Sequence, residues 1–172
     1  MKLLIVDDEK LTREGIRRSL DLEALSIDSV ILADDGVNGL EAALREEPDI
    51  VLTDVRMPRM NGVEMAEKLL EQLPDTSLVF MSAYSDKEYL KAAIKLKAVS
   101  YVEKPLDIRE LAAALKEAAG SRLARSSSRS AALLHTKEQL GQLAHLLLDP
   151  ERGGPEAMDR LIRSLNLPFG PG

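Results

Sequence analysis

Four short segments carry side chains that could do chemistry together. They are the acidic run Asp7-Asp8-Glu9, the pair Thr53-Asp54, the hydroxyl of Ser82 in Met81-Ser82-Ala83, and the ammonium of Lys104 in Glu103-Lys104-Pro105. Clustered carboxylates repel and raise each other's pKa unless a cation sits between them. A hard divalent ion resolves that repulsion. Mg²⁺ typically takes one or two carboxylates, some waters and a phosphate oxygen. An ammonium can hold a phosphoryl oxygen as a point charge, and a hydroxyl can donate to another. A carboxylate beside the ion can itself attack a phosphoryl group and become an aspartyl-phosphate. Each segment also has a plainer reading: Asp8 or Glu9 could cap a helix, and Lys104-Pro105 could be only a turn. What favours chemistry is that all four segments close an apolar run.

Those runs are short and β-branched: Leu3–Val6, Val30–Ala33, Ile50–Thr53, Leu78–Met81 and Ser100–Val102. Between them lie stretches with helical spacing, marked by Leu11, Ile16 and Leu20; by Leu40, Ala43 and Leu44; by Val63, Ala66, Leu69 and Leu70; by Tyr89, Ala93 and Leu96; and by Ile108, Leu111 and Leu115. Breakers fall at the joints, at Asp35-Gly36, Pro48-Asp49, Asn61-Gly62, Pro74-Asp75 and Lys104-Pro105. Five strands alternating with five helices predict an α/β fold, a parallel sheet covered on both faces. Ligands of such sheets bind outside the carboxyl ends of the strands. The four segments stand at the ends of strands 1, 3, 4 and 5. Strand 2 ends in Asp34-Asp35 and is expected at the sheet's border.

Composition narrows the class. The chain has 172 residues, is 30% charged, and has no Cys, so disulfide scaffolds and thiolate metal sites are excluded. The apolar runs are far too short for a transmembrane helix. The N-terminus reaches Asp7-Asp8 too soon for a signal-peptide core. A cytoplasmic protein without a membrane partner is expected. Residues 1–120 carry 24 acidic and 16 basic side chains, net −8, while residues 121–172 carry 5 and 7, net +2. The acidic part is a poor match to nucleic acid, where affinity comes from neutralised phosphates. At Gly120 the composition shifts. A domain over 1–120 and a helical linker over 121–172 are expected. Residues 120–130 are Ser/Arg-rich and read as a linker or a solvated stretch of helix. Residues 131–148 read as an amphipathic helix with Leu133, Leu140 and Leu147 seven apart, a heptad hint of pairing. His135 and His145 read as ordinary surface residues.

The runs Leu4-Ile5-Val6-Asp7-Asp8-Glu9, Thr53-Asp54-Val55-Arg56-Met57-Pro58-Arg59-Met60-Asn61-Gly62, Met81-Ser82-Ala83 and Tyr101-Val102-Glu103-Lys104-Pro105 together resemble the receiver domain of bacterial two-component response regulators, over residues 1 to about 120. The resemblance implies a flavodoxin-like doubly wound sheet with strand order 2-1-3-4-5. It implies Asp54 as phosphoacceptor, and Mg²⁺ held by Asp8, Asp54 and the backbone carbonyl of Arg56, with Asp7 acting mainly through a water. Lys104 would contact the phosphoryl group, and Ser82 would hydrogen-bond it once attached. Tyr101 stands where receivers carry an aromatic switch residue; plain half-buried packing is the other reading. The Lys104-Pro105 bond is expected to be cis. Arg56 and Tyr84 lie where receivers flank the phosphoryl group and are expected to tune its lifetime, unless both point to solvent.

The implied function is a phosphorelay switch, not a conventional enzyme. A sensor histidine kinase would phosphorylate it, and the face made by the fourth helix, fifth strand and fifth helix would change in response. That face, or the 131–148 helix, is the expected homodimer contact. The stretch Ser82–Leu96 and the ending Leu165-Asn166-Leu167-Pro168 resemble receivers attached to AraC-type DNA-binding domains. After residue 120 there is no room for such a domain, so a fragment of a longer transcription regulator is expected, with DNA contacted only through the missing output. Two other classes remain open. One is a Mg²⁺-dependent phosphohydrolase, though such enzymes place the nucleophile after strand 1 with a second Asp two residues on, and here Asp7 and Asp8 are adjacent with Glu9 in that place. The other is a stand-alone receiver acting by docking.

Overall fold

The computed structural model describes residues 1–83 and 94–148. Five strands are β1 (Lys2–Val6), β2 (Ser29–Ala33), β3 (Ile50–Asp54), β4 (Ser77–Ala83) and β5 (Ser100–Lys104). Helices among the described residues are α1 (Lys10–Ser19), α2 (Gly36–Glu46), α3 (Gly62–Gln72) and α4 (Ile108–Leu148). All neighbouring strands pair in parallel, in the order β2-β1-β3-β4-β5. This is the flavodoxin-like order the resemblance implies, and β2 takes the border position. The expected fourth helical stretch, with Tyr89 and Ala93, lies largely outside the described residues. The fifth is the start of α4.

The central strands β1, β3 and β4 are buried on both faces, which is why they read as apolar runs, while the border strands β2 and β5 are half-buried. Successive side chains feed opposite cores. Leu3 and Ile5 join Ile16, Leu20, Leu52, Met81, Leu111 and Leu115 on the side of α1 and α4. Leu4 and Val6 join Val51, Phe80, Ala43, Met65, Ala66 and Leu69 on the side of α2 and α3. In α4, Leu111, Ala114, Leu115, Ala118 and Ala119 are buried at helical spacing. Three expected core positions are exposed instead: Leu11 at 87%, and Leu44 and Ile108 at 37% each. In α1, Ile16 and the following Leu20 carry the burial.

Capping fixes the helix starts near the strand ends. Asp35 accepts from the amides of Val37 and Asn38 at the start of α2, and Asn61 accepts from Glu64 at the start of α3. The Ser/Arg-rich stretch is helical, the second of its two readings, because α4 runs unbroken through it. The first compact unit extends past Gly120 to Arg125. Arg125 Nη2 reaches Ser77 Oγ at 2.6 Å, and Arg122 Nε lies 3.3 Å from Asp49 Oδ1. These contacts tie the helix to the amino ends of β3 and β4.

Candidate functional site

Register brings the four segments together. Val6 pairs with Thr53, so Asp7 follows beside Asp54. Asp54 pairs with Met81, and Ser82 and Ala83 pair with Glu103 and Lys104. Asp7, Asp54 and Ser82 are buried, while Asp8 is exposed. Asp7, Asp8 and Asp54 each offer an oxygen, and these oxygens lie within 4.8 Å of one another. Lys104 Nζ donates to Asp7 Oδ2 at 2.9 Å and to Asp54 Oδ2 at 2.5 Å. The remaining oxygens are also engaged: Asp7 Oδ1 accepts from the Glu9 amide at 2.9 Å, and Asp54 Oδ1 from the Arg56 amide at 3.2 Å. Glu9 occupies the N-cap position of α1 without a side-chain cap bond, so capping does not account for the acidic run. The Lys104-Pro105 bond is cis.

Burial raises the pKa of Asp54 above the ordinary carboxylate value, against the pull of the Lys104 hydrogen bond and charge; the nearby Asp7 charge adds to the rise. Burial alone would loosen the proton of Lys104. Its hydrogen bonds to Asp54 and Asp7, together with their charges, outweigh that and hold the ammonium more firmly than usual. The site is thus a buried carboxylate made uneasy by desolvation and steadied by one ammonium. A further cation would relieve it. The donors are all oxygens, the hard ligands that Mg²⁺ takes, so these residues fit such an ion.

On the other side of Asp54, the hydroxyls of Ser82 and Tyr101 hydrogen-bond one another. Tyr101 is half-buried and packs against the α2–α3 core. The tyrosine therefore already stands against Ser82. Tyr84 lies outside the described residues. Arg56 follows Asp54 with its side chain exposed.

Three contributors escape sequence reasoning. A Cβ on Gly62 would meet the Asp54 carbonyl at 2.0 Å, so a glycine is what lets α3 begin directly against the strand end. Arg13 of α1 donates to the Asp7 carbonyl at 2.5 Å. Arg59, at φ 64°, forms an ion pair with Asp35. The Asn61-Gly62 breaker hinted at the first; the two arginines sit in segments without a pattern to single them out. A cleft of about 410 Å³ between α1 and α2 is lined by Arg13, Asp34 and Arg45 among others, but by none of the three clustered aspartates. The chemistry sits on open strand ends, beside that cleft.

Comparison with known proteins agrees with this geometry. The family model described as the response regulator receiver domain matches residues 3–116. The transcriptional regulatory protein HptR of Staphylococcus aureus (strain N315) is 36% identical over 110 residues, 64% of this chain and 43% of that protein. The chain thus spans less than half the length of the curated relatives it matches. Among solved structures, a two component transcriptional regulator AraC from Clostridium phytofermentans is 52% identical, with a TM-score of 0.70, covering 73% of this chain and 98% of that one. The REC domain of AraT, a response regulator from Geobacillus stearothermophilus, is 36% identical with a TM-score of 0.65, over 73% and 97%. With its strand order, its aspartate cluster and this match, the chain belongs to the response regulator receiver family.

Proposed function

We propose that Asp54 accepts a phosphoryl group from a sensor histidine kinase and that the chain switches an output in response. The observation that carries this is the Lys104 ammonium spanning Asp7 and Asp54, beside three carboxylate oxygens within 4.8 Å of one another. Asp8, Asp54 and the Arg56 carbonyl would hold Mg²⁺ directly, and Asp7 mainly through a water. When bound, the ion supplies positive charge to the crowded carboxylates and the incoming phosphoryl oxygens.

An Asp54 carboxylate oxygen attacks phosphorus. The bond from phosphorus to the donor's imidazole nitrogen breaks, and the nitrogen keeps the electron pair. Lys104 exchanges its contact with Asp54 for one with a phosphoryl oxygen. Phosphorylation adds about −1.5 to −2 charges and strong acceptor oxygens. Ser82 turns its hydroxyl to one of these oxygens and gives up its present bond to Tyr101. Tyr101 repacks, and the change reaches the surface around β5 and the start of α4. This is a local charge event biasing a two-state element. Arg56 and Tyr84 stand at the sequence positions that flank the phosphoryl group in receivers, and their side chains would set how fast water removes it.

The output is transcription, a reading supported by the relatives named as transcriptional regulators and by the AraC regulator among the solved structures. DNA would be met by an output domain of that type, not by the acidic receiver. Pairing of two copies would run through the face made by the fourth expected helix, β5 and the start of α4, or through the 131–148 helix; most of that fourth helix and the side chains of 131–148 lie outside the described residues. The protein would work in the cytoplasm. No helix among the described residues is long and apolar enough to cross a membrane. Self-catalysed gain and loss of phosphate is its only catalysis. The test is incubation with acetyl phosphate and Mg²⁺, followed by intact mass measurement. One phosphoryl adduct is expected, and none in Asp54→Asn. An adduct that survives in that variant overturns the assignment.

A further inference from the structure

The loop that follows Asp54 is anchored at both ends. At its start, the Val55 amide donates to the Met81 carbonyl at 2.9 Å and the Arg56 amide to Asp54 Oδ1 at 3.2 Å. At its end, the Gly62 amide donates to the Val55 carbonyl at 2.9 Å. Its middle is a tight turn, with the Met60 amide on the Pro58 carbonyl at 2.7 Å. There Arg59 adopts φ 64°, a left-handed conformation that a non-glycine residue keeps only where its surroundings over-determine it.

What surrounds it is the β2–α2 turn. Arg59 Nε and Nη2 both donate to Asp35 Oδ2. The other oxygen, Oδ1, accepts the Val37 and Asn38 amides at 2.8 and 2.9 Å. The Asp35 side chain is only 6% exposed, against 53% for Arg59. The backbones also touch: a Cβ on Gly36 would lie 2.3 Å from the Met60 carbonyl oxygen. One buried carboxylate therefore caps α2 with one oxygen and grips the middle of the loop with the other.

We propose that the Asp35–Arg59 pair is a positioning latch, holding the loop so that the Arg56 backbone faces the cation and phosphoryl site. The proposal rests on the phosphoacceptor reading above. Neither residue touches the reacting atoms; both act through the loop between Asp54 and α3. Releasing the latch frees the turn while leaving both loop ends anchored. Mg²⁺ affinity and phosphoryl uptake then fall without loss of the fold.

The test uses the full chain with Asp35→Asn, Arg59→Gln and the double variant. Asn caps a helix as well as Asp does, so Asp35→Asn removes the charge and keeps the cap. Mg²⁺ dissociation constants are read by calorimetry, phosphorylation rates with acetyl phosphate at saturating Mg²⁺, and folding by thermal melting. Each single variant should weaken Mg²⁺ binding by roughly 3- to 10-fold, in the range for residues in contact. The double variant should be no weaker than the worse single one, and Arg59→Lys should restore part of the loss. Unchanged Mg²⁺ affinity and rate in both singles overturns the latch, as do losses that simply add in the double. If Asp35→Asn does not fold, Arg59→Gln, at a half-exposed position, decides alone. A wild-type chain that binds no Mg²⁺ and takes no phosphoryl group overturns the underlying reading; a competent wild type with matching variants overturns the latch only.

Discussion

Asp54 is held in a state its surroundings disfavour. Burial raises its pKa, and Lys104 offsets only part of that. A carboxylate whose folded pKa is raised contributes stability at low pH, where it is protonated. That contribution is lost as pH rises through the raised folded value. Lys104, also raised, keeps its contribution across the neutral range and loses it only above its ordinary value of about 10.4. Asp54→Asn should therefore melt higher than wild type near neutral pH in a metal chelator. The advantage should shrink as pH falls toward about 4, near the ordinary carboxylate value. Thermal melts across that window check this, and an advantage that grows on acidification contradicts it. At Tyr84 the expectation is kinetic: if its bulk shields the phosphoryl group, Tyr84→Ala speeds autodephosphorylation severalfold, and an unchanged rate removes the role. The clustered residues were legible in the sequence because each closes an apolar run and each has a charge or hydroxyl suited to phosphate. Arg13 and Arg59 were not, since a hydrogen bond to a carbonyl or a distant carboxylate leaves no periodic trace.

At the scale of elements, the central strands were readable because burial on both faces leaves continuous apolar runs. Strand ends shifted by a residue or two, and β4 extends to Ala83, carrying Ser82 inside the paired region. The end of the first unit was less legible. The Ser/Arg composition put a domain border near residue 120 and read as a linker or a solvated stretch of helix, and the helix is held beyond it by two arginines. Arg125 bridges Ser77 Oγ, Ser121 Oγ and the Asp75 carbonyl. Ser77 Oγ in turn donates to the Ala118 carbonyl at 2.9 Å, so helix and strand are joined twice. Arg125→Ala should lower stability by about 1–3 kcal/mol, the cost of leaving buried polar groups short of a partner. Urea unfolding should show a lower midpoint with an unchanged slope. A midpoint equal to wild type shows that these contacts contribute nothing.

For the whole molecule, charge and length take on meaning together. The acidic excess of residues 1–120 is net −8, and part of it is the aspartate cluster that a cation would neutralise. Beyond Arg125 the helix continues to Leu148, where the heptad spacing of Leu133, Leu140 and Leu147 suggests pairing between copies. Ultracentrifugation of residues 1–125, the first compact unit, against the full chain checks this. A full chain of twice the monomer mass beside a monomeric 1–125 is expected, and equal association of the two excludes pairing through the tail. No sequence pattern could establish this, because the same heptad suits a helix packed within its own chain.

The central claim is that Asp54 carries the phosphoryl group. Borohydride reduces an aspartyl-phosphate to homoserine and leaves free aspartate untouched. After incubation with acetyl phosphate and Mg²⁺, reduction and peptide mass analysis should find homoserine at position 54. Homoserine at position 7 or 8 instead, or at no position in a chain that has gained a phosphoryl group, contradicts the account.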